Sequence, residues 1–170
     1  MNLADLDRVI KETLDERELD YEREREGSYV VRLPGEHKKV TTCWLVVGDH
    51  SLLVEAFVVR RPDENAEQFY RWLLEHNAKT YAVAFSLDHL GDVYLIGRLP
   101  LAAVTPDELD RVLGSVLTYA DESFDRLLEM GFASSIRREW QWRVKRGQSL
   151  ANLEAFAHFA DPSRHPGNHA

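Results

Sequence analysis

The amino-acid sequence predicts a two-layer α+β domain in which an antiparallel sheet carries its helices on one face. Two apolar runs, 40–47 and 52–59, flank a short polar turn and predict neighbouring antiparallel strands. An amphipathic segment, 64–76, follows a charged break and predicts a helix that packs back on this sheet. The first run is apolar on both faces, which is typical of a strand that helices or a second chain cover.

A helix is predicted before these strands, over residues 2–18. Apolar residues recur there at helical spacing, and Asn2 can cap the start. Residues 19–27 alternate acids with arginines, a pattern that fits either a frayed helix end or a charged edge strand. Both interpretations stay open. Residues 28–33 then predict a strand, which the turn residues Pro34-Gly35 end.

The second half of the chain predicts a further hairpin and a long helix. Strands are expected at 80–86 and 92–98. Thr105-Pro106-Asp107-Glu108 combines a threonine cap, a proline at the first helical position and a nearby glutamate, so it predicts the start of a helix that ends at Gly131. The predicted order is αβββαββα, followed by shorter helices at about 134–145 and from Ser149.

The chain of 170 residues is expected to form one main domain, 1–131, with a helical extension, 132–160, that packs on this domain or on a partner. The polar residues 161–170 predict a disordered tail. The net charge of −8 disfavours nucleic-acid binding. No run approaches the ~20 apolar residues of a membrane span. The acidic N-terminus differs from a signal peptide, so we expect a cytoplasmic protein.

The sequence contains no convergent catalytic set. The single cysteine, Cys43, lies mid-strand between apolar neighbours and predicts a core residue rather than a reactive thiol. The spacing of His158, His165 and His169 matches no metal motif, and neither glycine-rich phosphate-binding motif occurs. We therefore expect no catalytic residue, no metal and no cofactor.

Two Asp-His pairs, Asp49-His50 and Asp88-His89, occupy the two hairpin turns. If both turns lay at the same side of the sheet, the pairs could orient imidazoles for acid–base work or for binding a small molecule. Aspartate and histidine are also ordinary turn residues, and no nucleophile accompanies them. A sensor or an enzyme built on these pairs is therefore the second hypothesis.

The segment 135–146 combines arginines with two tryptophans, the residue types most enriched at binding hot spots. On a helix, Trp140 and Trp142 point to different sides, which suggests that one packs on the domain and the other is available to a partner. Alternatively, both pack inward and the arginines neutralise the acidic N-terminal region. The candidate partner-binding residues are Arg137, Arg138, Trp140, Trp142 and Arg143.

Several stretches resemble the YbjN family, small bacterial proteins described as sensory-transduction regulators. The matching stretches are 29–35, the Arg61-Pro62 break, 67–77 and 118–124, and the resemblance covers about residues 3–130. It implies a type III secretion chaperone-like fold, an αβββαββα unit that commonly dimerises. It brings no catalytic residues with it.

The leading hypothesis is a non-enzymatic cytosolic protein that binds another polypeptide, or itself as a homodimer, in a regulatory or chaperone-like role. Neither nucleic acid nor membrane is an expected partner. A purely structural homodimer, in which paired sheets or helices bury the two-sided apolar strands, is the third hypothesis.

Overall fold

The structure is a computed structural model that describes residues 1–164. The tail predicted for 161–170 therefore lies, from 165 onward, outside the described residues. The helices and strands in chain order are α1 (Leu3–Glu16), β1 (Asp20–Arg25), β2 (Ser28–Pro34), β3 (Val40–Val47), β4 (Ser51–Val59), α2 (Ala66–Asn77), β5 (Ala84–Leu87), β6 (Val93–Pro100), α3 (Pro106–Lys145) and α4 (Ala157–Ala160). Short 3₁₀ turns cover Leu101–Ala103, Ala151–Phe156 and Pro162–Arg164.

One antiparallel sheet of six strands holds the fold together, in the order β1-β2-β3-β4-β6-β5. Residues 19–27, for which two interpretations were open, contain the edge strand β1, which pairs with β2. Four strands therefore precede α2, one more than predicted. The α+β class and the helical cover on one face are confirmed.

Burial alternates along the central strands, and this alternation identifies the face that the helices cover. In β4, Leu52, Val54, Ala56 and Val58 are all buried in the core. The residues between them, such as Leu53, keep part of their surface in solvent. Strand β3 follows the same rule, so only one of its two apolar faces is covered by helices of this chain.

Asp7 ties α1 to the β1–β2 hairpin. Its carboxylate accepts hydrogen bonds from Arg23 Nε and Nη2 at 3.2 and 2.8 Å, from the Gly27 amide at 2.7 Å and from the Tyr29 hydroxyl at 2.7 Å. Burial raises the pKa of Asp7, but the hydrogen bonds from Arg23, Gly27 and Tyr29 outweigh it and hold the pKa at about 2. Asn2 caps the same helix, as predicted.

Helix α3 begins at the predicted cap, since the Thr105 hydroxyl accepts from the Glu108 amide at 3.2 Å. It bends at Phe132, whose φ of −138° departs from helical geometry, so the predicted stop at Gly131 is a kink between two helical halves. A side chain at Gly131 would meet the Phe69 ring at 3.0 Å. Glycine at this position therefore lets α2 pack closely against α3.

The loop before α2 completes this kink. The amides of Asp63 and Glu64 donate to the Gly131 carbonyl, at 3.0 and 3.2 Å, and the Glu64 carboxylate accepts from the Ser134 amide at 2.7 Å. Asn65 has a positive φ of 55°. Because Asp63 and Glu64 form hydrogen bonds to α3 at its kink, α2 starts at 66, two residues later than predicted.

Strand β5 also starts later than predicted, at Ala84, because the backbone just before it packs closely against Gly97 of β6. Ala82 has a positive φ of 63°, and its carbonyl lies so close to Gly97 that a Cβ there would collide with it. The Asn77 side chain then accepts from the Phe85 amide at 2.7 Å and donates to the Phe85 carbonyl at 3.0 Å. Asn77 thus pairs with the outer edge of β5 as a neighbouring strand would.

After α3 the chain turns back at Gly147, whose φ is 65°, and runs along the second half of the helix. Phe156, Ala157 and Ala160 join the core that also contains Ile136. The segment 147–160 therefore packs on α3 of the same chain. No helix within residues 1–164 is long and apolar enough to span a bilayer.

Candidate protein-binding surface

The sheet face opposite the helices carries a continuous set of apolar side chains. One row crosses four strands, from Val30 through Trp44 and Glu55 to Ile96. Except for Val30, which is 9% exposed, these side chains are partly exposed. We call this surface the open sheet face, and its apolar members are Val30, Trp44, Val46, Leu53, Phe57, Tyr94 and Ile96.

Two aromatic rings meet in the adjacent row of the open sheet face. Phe57 on β4 pairs with Tyr94 on β6, and their ring centroids lie 5.5 Å apart in an edge-on arrangement. Together with Trp44 they place three aromatic side chains on three adjacent strands. A surface that only meets water normally carries single, scattered apolar residues. A contiguous apolar patch is instead typical of an interaction surface.

Carboxylates surround these apolar side chains. Glu55 lies between Trp44 and Ile96, and no cation within residues 1–164 lies at salt-bridge distance from it. Burial raises the pKa of Tyr94, and the negative charges of Asp88, Glu55 and Asp92 raise it further. The open sheet face is therefore apolar with a negative potential near Tyr94.

Acidic side chains also border the face at its β1 edge. Asp20 and Glu22 share one cation, Arg32, whose guanidinium lies 3.7 and 3.2 Å from their oxygens. Arg98, opposite Leu53, is exposed. Acids therefore outnumber bases around the open sheet face.

The five candidates of the extension separate into two groups. Trp140 is 4% exposed and lies in the core, so a partner cannot reach it in this structure. Arg137 donates to the Phe159 carbonyl at 3.4 Å, and Arg143 donates to Glu139 at 2.7 Å and to the Ser149 carbonyl at 2.9 Å. These two arginines hold the segment 147–160, which runs back along α3 and is called the returning segment below.

Arg138 and Trp142 remain on the surface. Trp142 is 43% exposed, and the Arg146 guanidinium stacks on its ring at 4.9 Å from the centroid. Ser135, Arg138, Glu139 and Trp142 line a shallow groove. The two tryptophans thus differ in exposure, as their helical positions indicated.

The two Asp-His turns do not form a common site. The first turn precedes Ser51, which pairs with Pro100, whereas the second precedes Val93, which pairs with Val59 at the other end of β4. At about 3.3 Å per residue, the turns are about 25 Å apart. The hypothesis of a shared site is therefore wrong, because its members sit at opposite ends of the sheet.

Cysteine and metal chemistry find no support either. Cys43 is fully buried, and burial raises the pKa of its thiol to about 12, so the core interpretation is confirmed. Within residues 1–164, no three His, Cys, Asp or Glu side chains cluster as metal ligands would. His165 and His169 lie outside the described residues.

Sequence reasoning allowed that a second chain covers these strands, but it named no residue of the open sheet face as a candidate site. The available signal was the pattern of β4, in which Leu53, Glu55 and Phe57 share one face and Glu55 is the single interior charge. This pattern indicates a face that meets water or a partner. The sheet order, which places Tyr94 and Ile96 beside it, could be known only from the structure.

A family model described as "YbjN: Putative bacterial sensory transduction regulator" matches residues 7–129. An uncharacterised protein of Mycobacterium tuberculosis is 52% identical over 162 residues, which is 92% of this chain and 88% of the relative. A similar protein of Mycobacterium leprae is 54% identical over 132 residues, 78% of this chain and 72% of the relative.

Three solved structures share the fold. A chain of the ExsC-ExsE complex has a TM-score of 0.55 at 19% identity and covers 75% of this chain and 97% of its own length. A chain of the ExoU-SpcU complex, from the type III secretion system of Pseudomonas aeruginosa, scores 0.52 at 17% identity, with 73% and 98% covered. A chain of the HopA1-SchA chaperone-effector complex scores 0.51 at 12% identity, with 71% and 94% covered. The predicted likeness to secretion chaperones in fold is confirmed.

Proposed function

Because this chain belongs to the YbjN family, we propose that it is a non-enzymatic, cytoplasmic, protein-binding regulator or chaperone-like protein that engages its partner through the open sheet face. The observation that carries the proposal is the set of partly exposed aromatic and aliphatic side chains on the central strands. Trp44 and Phe57 lie on central strands, and the solvated face of an antiparallel sheet normally carries polar side chains instead.

The related folds support a binding role. Each of the three solved neighbours is a chain from a complex of two different proteins. The fold is therefore able to present a surface to another polypeptide, although fold alone does not define which surface is used.

The chemistry of the open sheet face defines the partner we propose. A bound segment would contribute apolar side chains against Trp44, Phe57 and Ile96, and one or more lysines or arginines against Glu55. Burying Glu55 without a cation would be unfavourable, because an unpaired carboxylate loses its hydration. An amphipathic, basic segment satisfies both requirements.

Self-association through the same face is the second form of this proposal. A second copy could place its Arg98 against Glu55, since neither residue has an ion pair within residues 1–164. Light scattering across a concentration series tests this form. A homodimer that Trp44→Asp converts to a monomer supports it, and a strict monomer excludes it.

The surface formed by Arg138 and Trp142 is a second candidate for binding a partner. The exposure of Trp142, at 43%, favours it. The groove beside it is shallow, and Arg146 already covers part of the indole ring. We therefore place this surface behind the open sheet face.

Three variants distinguish the surfaces. Native co-purification followed by calorimetry with the purified partner would compare Trp44→Asp on the open sheet face, Trp142→Ala on the extension, and Leu74→Asp on α2. Leu74 is 70% exposed and serves as the matched control for adding an aspartate. We expect Trp44→Asp to weaken binding at least about tenfold, the effect of losing a central aromatic contact, and the control to leave it unchanged.

Retention of full affinity by Trp44→Asp would contradict the open-face proposal. Loss of affinity in Trp142→Ala alone would assign binding to the extension. Circular dichroism of each variant confirms that the fold is intact, which is expected because all three side chains reach solvent.

A further inference from the structure

A groove lies between the β2–β3 turn, the middle of α3 and the returning segment. It encloses about 720 Å³, within the usual range for a small-molecule site. Residues 36–40 form one wall, and 151–156 form the other. The family match ends at 129, so six of the fourteen residues that line this groove come from a part of the chain that the family model does not cover.

Lys38 is the distinctive polar group of this groove. Its ammonium lies 5.2 Å from the Phe57 ring centroid and 5.0 Å from the Phe124 ring centroid. No carboxylate within residues 1–164 lies at salt-bridge distance from it. Burial lowers the pKa of Lys38, because its ammonium is partly removed from water without a negative partner.

Two carboxylates of the adjoining part of α3, Asp121 and Asp125, already bind other groups. Asp121 accepts from the backbone amides of His37 and Lys38, both at 2.8 Å. Asp125 contacts His37 Nδ1 at 2.8 Å, and this hydrogen bond raises the pKa of His37, so the pair neutralises itself when His37 is protonated. Among the remaining charges of the lining, Glu36 is exposed and Lys39 adds a second cation.

The rest of the lining is mainly apolar. Phe124 and Leu128 belong to α3, and Leu153 and Phe156 belong to the returning segment. Leu153 is partly exposed, whereas Phe156 is largely buried. A hydrocarbon chain laid along these residues would exchange contact with water for apolar contact, which favours binding.

We propose that this groove binds a small amphiphilic carboxylate, with its anionic head against Lys38 and its hydrocarbon chain along Phe124, Leu128 and Leu153. Charge complementarity selects the head group, since an anion gives the Lys38 ammonium the partner that residues 1–164 do not provide. Occupation would join the returning segment to the β2–β3 turn. This proposal does not rest on the protein-binding role, although Lys38 contacts the ring of Phe57, which also belongs to the open sheet face.

Calorimetry of the full chain with three probes tests the proposal. Decanoate, used below its micelle concentration, carries both features, acetate carries the head alone, and decyltrimethylammonium carries the tail with the opposite charge. We expect decanoate to bind and both other probes to bind at least about tenfold more weakly.

Two matched variants locate the head group. Lys38→Met removes the charge, keeps most of the side-chain length and should weaken decanoate binding about tenfold or more, the effect of losing a charged contact. Lys79→Met, an exposed lysine after α2, should leave the affinity unchanged. Leu153→Ser should weaken binding without changing the preference for an anion.

Nuclear magnetic resonance of the unmodified protein gives a readout that needs no variant. Decanoate should shift amide signals of 36–40 and 151–156 together. Shifts confined to another surface would overturn the proposal, as would equal affinity for decanoate and decyltrimethylammonium. Equal effects of Lys38→Met and Lys79→Met would overturn the assignment of the head group.

Discussion

Replacing Asp7 with asparagine removes a charge at the junction between α1 and the β1–β2 hairpin and leaves the shape of the side chain unchanged. The carboxylate is 12% exposed and accepts hydrogen bonds from Arg23, Gly27 and Tyr29. Its pKa of about 2, against an ordinary 3.8, means that folding favours the ionised form. At about 1.36 kcal/mol for each tenfold change in proton affinity, this preference corresponds to about 2 kcal/mol.

The sign of the pH dependence follows from the lowered pKa. The stabilisation is fully present above about pH 4, where Asp7 is ionised in both the folded and the unfolded chain, and it is lost as the pH falls toward 2. Asp7→Asn lacks this contribution at every pH. The difference in free energy of unfolding between the two proteins should therefore be about 2 kcal/mol or more at neutral pH and should shrink toward pH 2.

Urea denaturation at a series of pH values measures this difference. Other carboxylates titrate equally in both proteins and cancel. Glu12→Gln, on the exposed part of the same helix, serves as the control and should show the pH dependence of the unmodified protein. Parallel stability curves for Asp7→Asn and the unmodified protein between neutral pH and pH 2 would refute the reasoning.

Four further substitutions test the packing, and urea denaturation measures the stability of each variant. Thr41→Val should stabilise the fold by about 1 kcal/mol, because the buried Thr41 hydroxyl has no hydrogen-bond partner within residues 1–164; a loss of stability would indicate a bound water. Gly97→Ala should destabilise the fold by about 3 kcal/mol through collision with the Ala82 carbonyl. Gly114→Ala, at an exposed position of α3 where a Cβ meets nothing within 4 Å, should stabilise it by up to about 1 kcal/mol. Glu64→Ala should cost about 1 kcal/mol and speed hydrogen exchange at Ser134, whose amide it caps; unchanged exchange would contradict that role.

Local signals were sufficient to predict most of the fold. The Thr105 cap and the two apolar strands 40–47 and 52–59 depend on residues that are close in sequence. The predicted stop at Gly131 is instead a kink within α3, because this position depends on contacts with the distant loop before α2. The segment 19–27 could not be assigned, because the contact of Arg23 with Asp7 on another element is what holds β1 in place. Its charge pattern alone fits either interpretation.

Shifted element ends have a similar origin. The start of α2 depends on hydrogen bonds between Glu64 and Ser134, which are 70 residues apart in sequence. The start of β5 depends on the close approach of Ala82 to Gly97. The open sheet face was missed for the same reason, since Phe57 and Tyr94 meet only after α2 and β5 return the chain to the sheet.

The bond between Asn77 and Phe85 has a consequence for aggregation. A protein that exposes aromatic side chains on its central strands risks stacking into fibrils through free strand edges. At one end of the sheet, the Asn77 amide occupies the outward peptide groups of Phe85. At the other end, symmetric pairing of two β1 strands would place acid opposite acid and arginine opposite arginine, which is repulsive. At one edge of the sheet the outward peptide groups of Phe85 are occupied, and at the other edge two copies of β1 would repel each other. Both edges therefore disfavour strand pairing between copies, although the sheet exposes an apolar face.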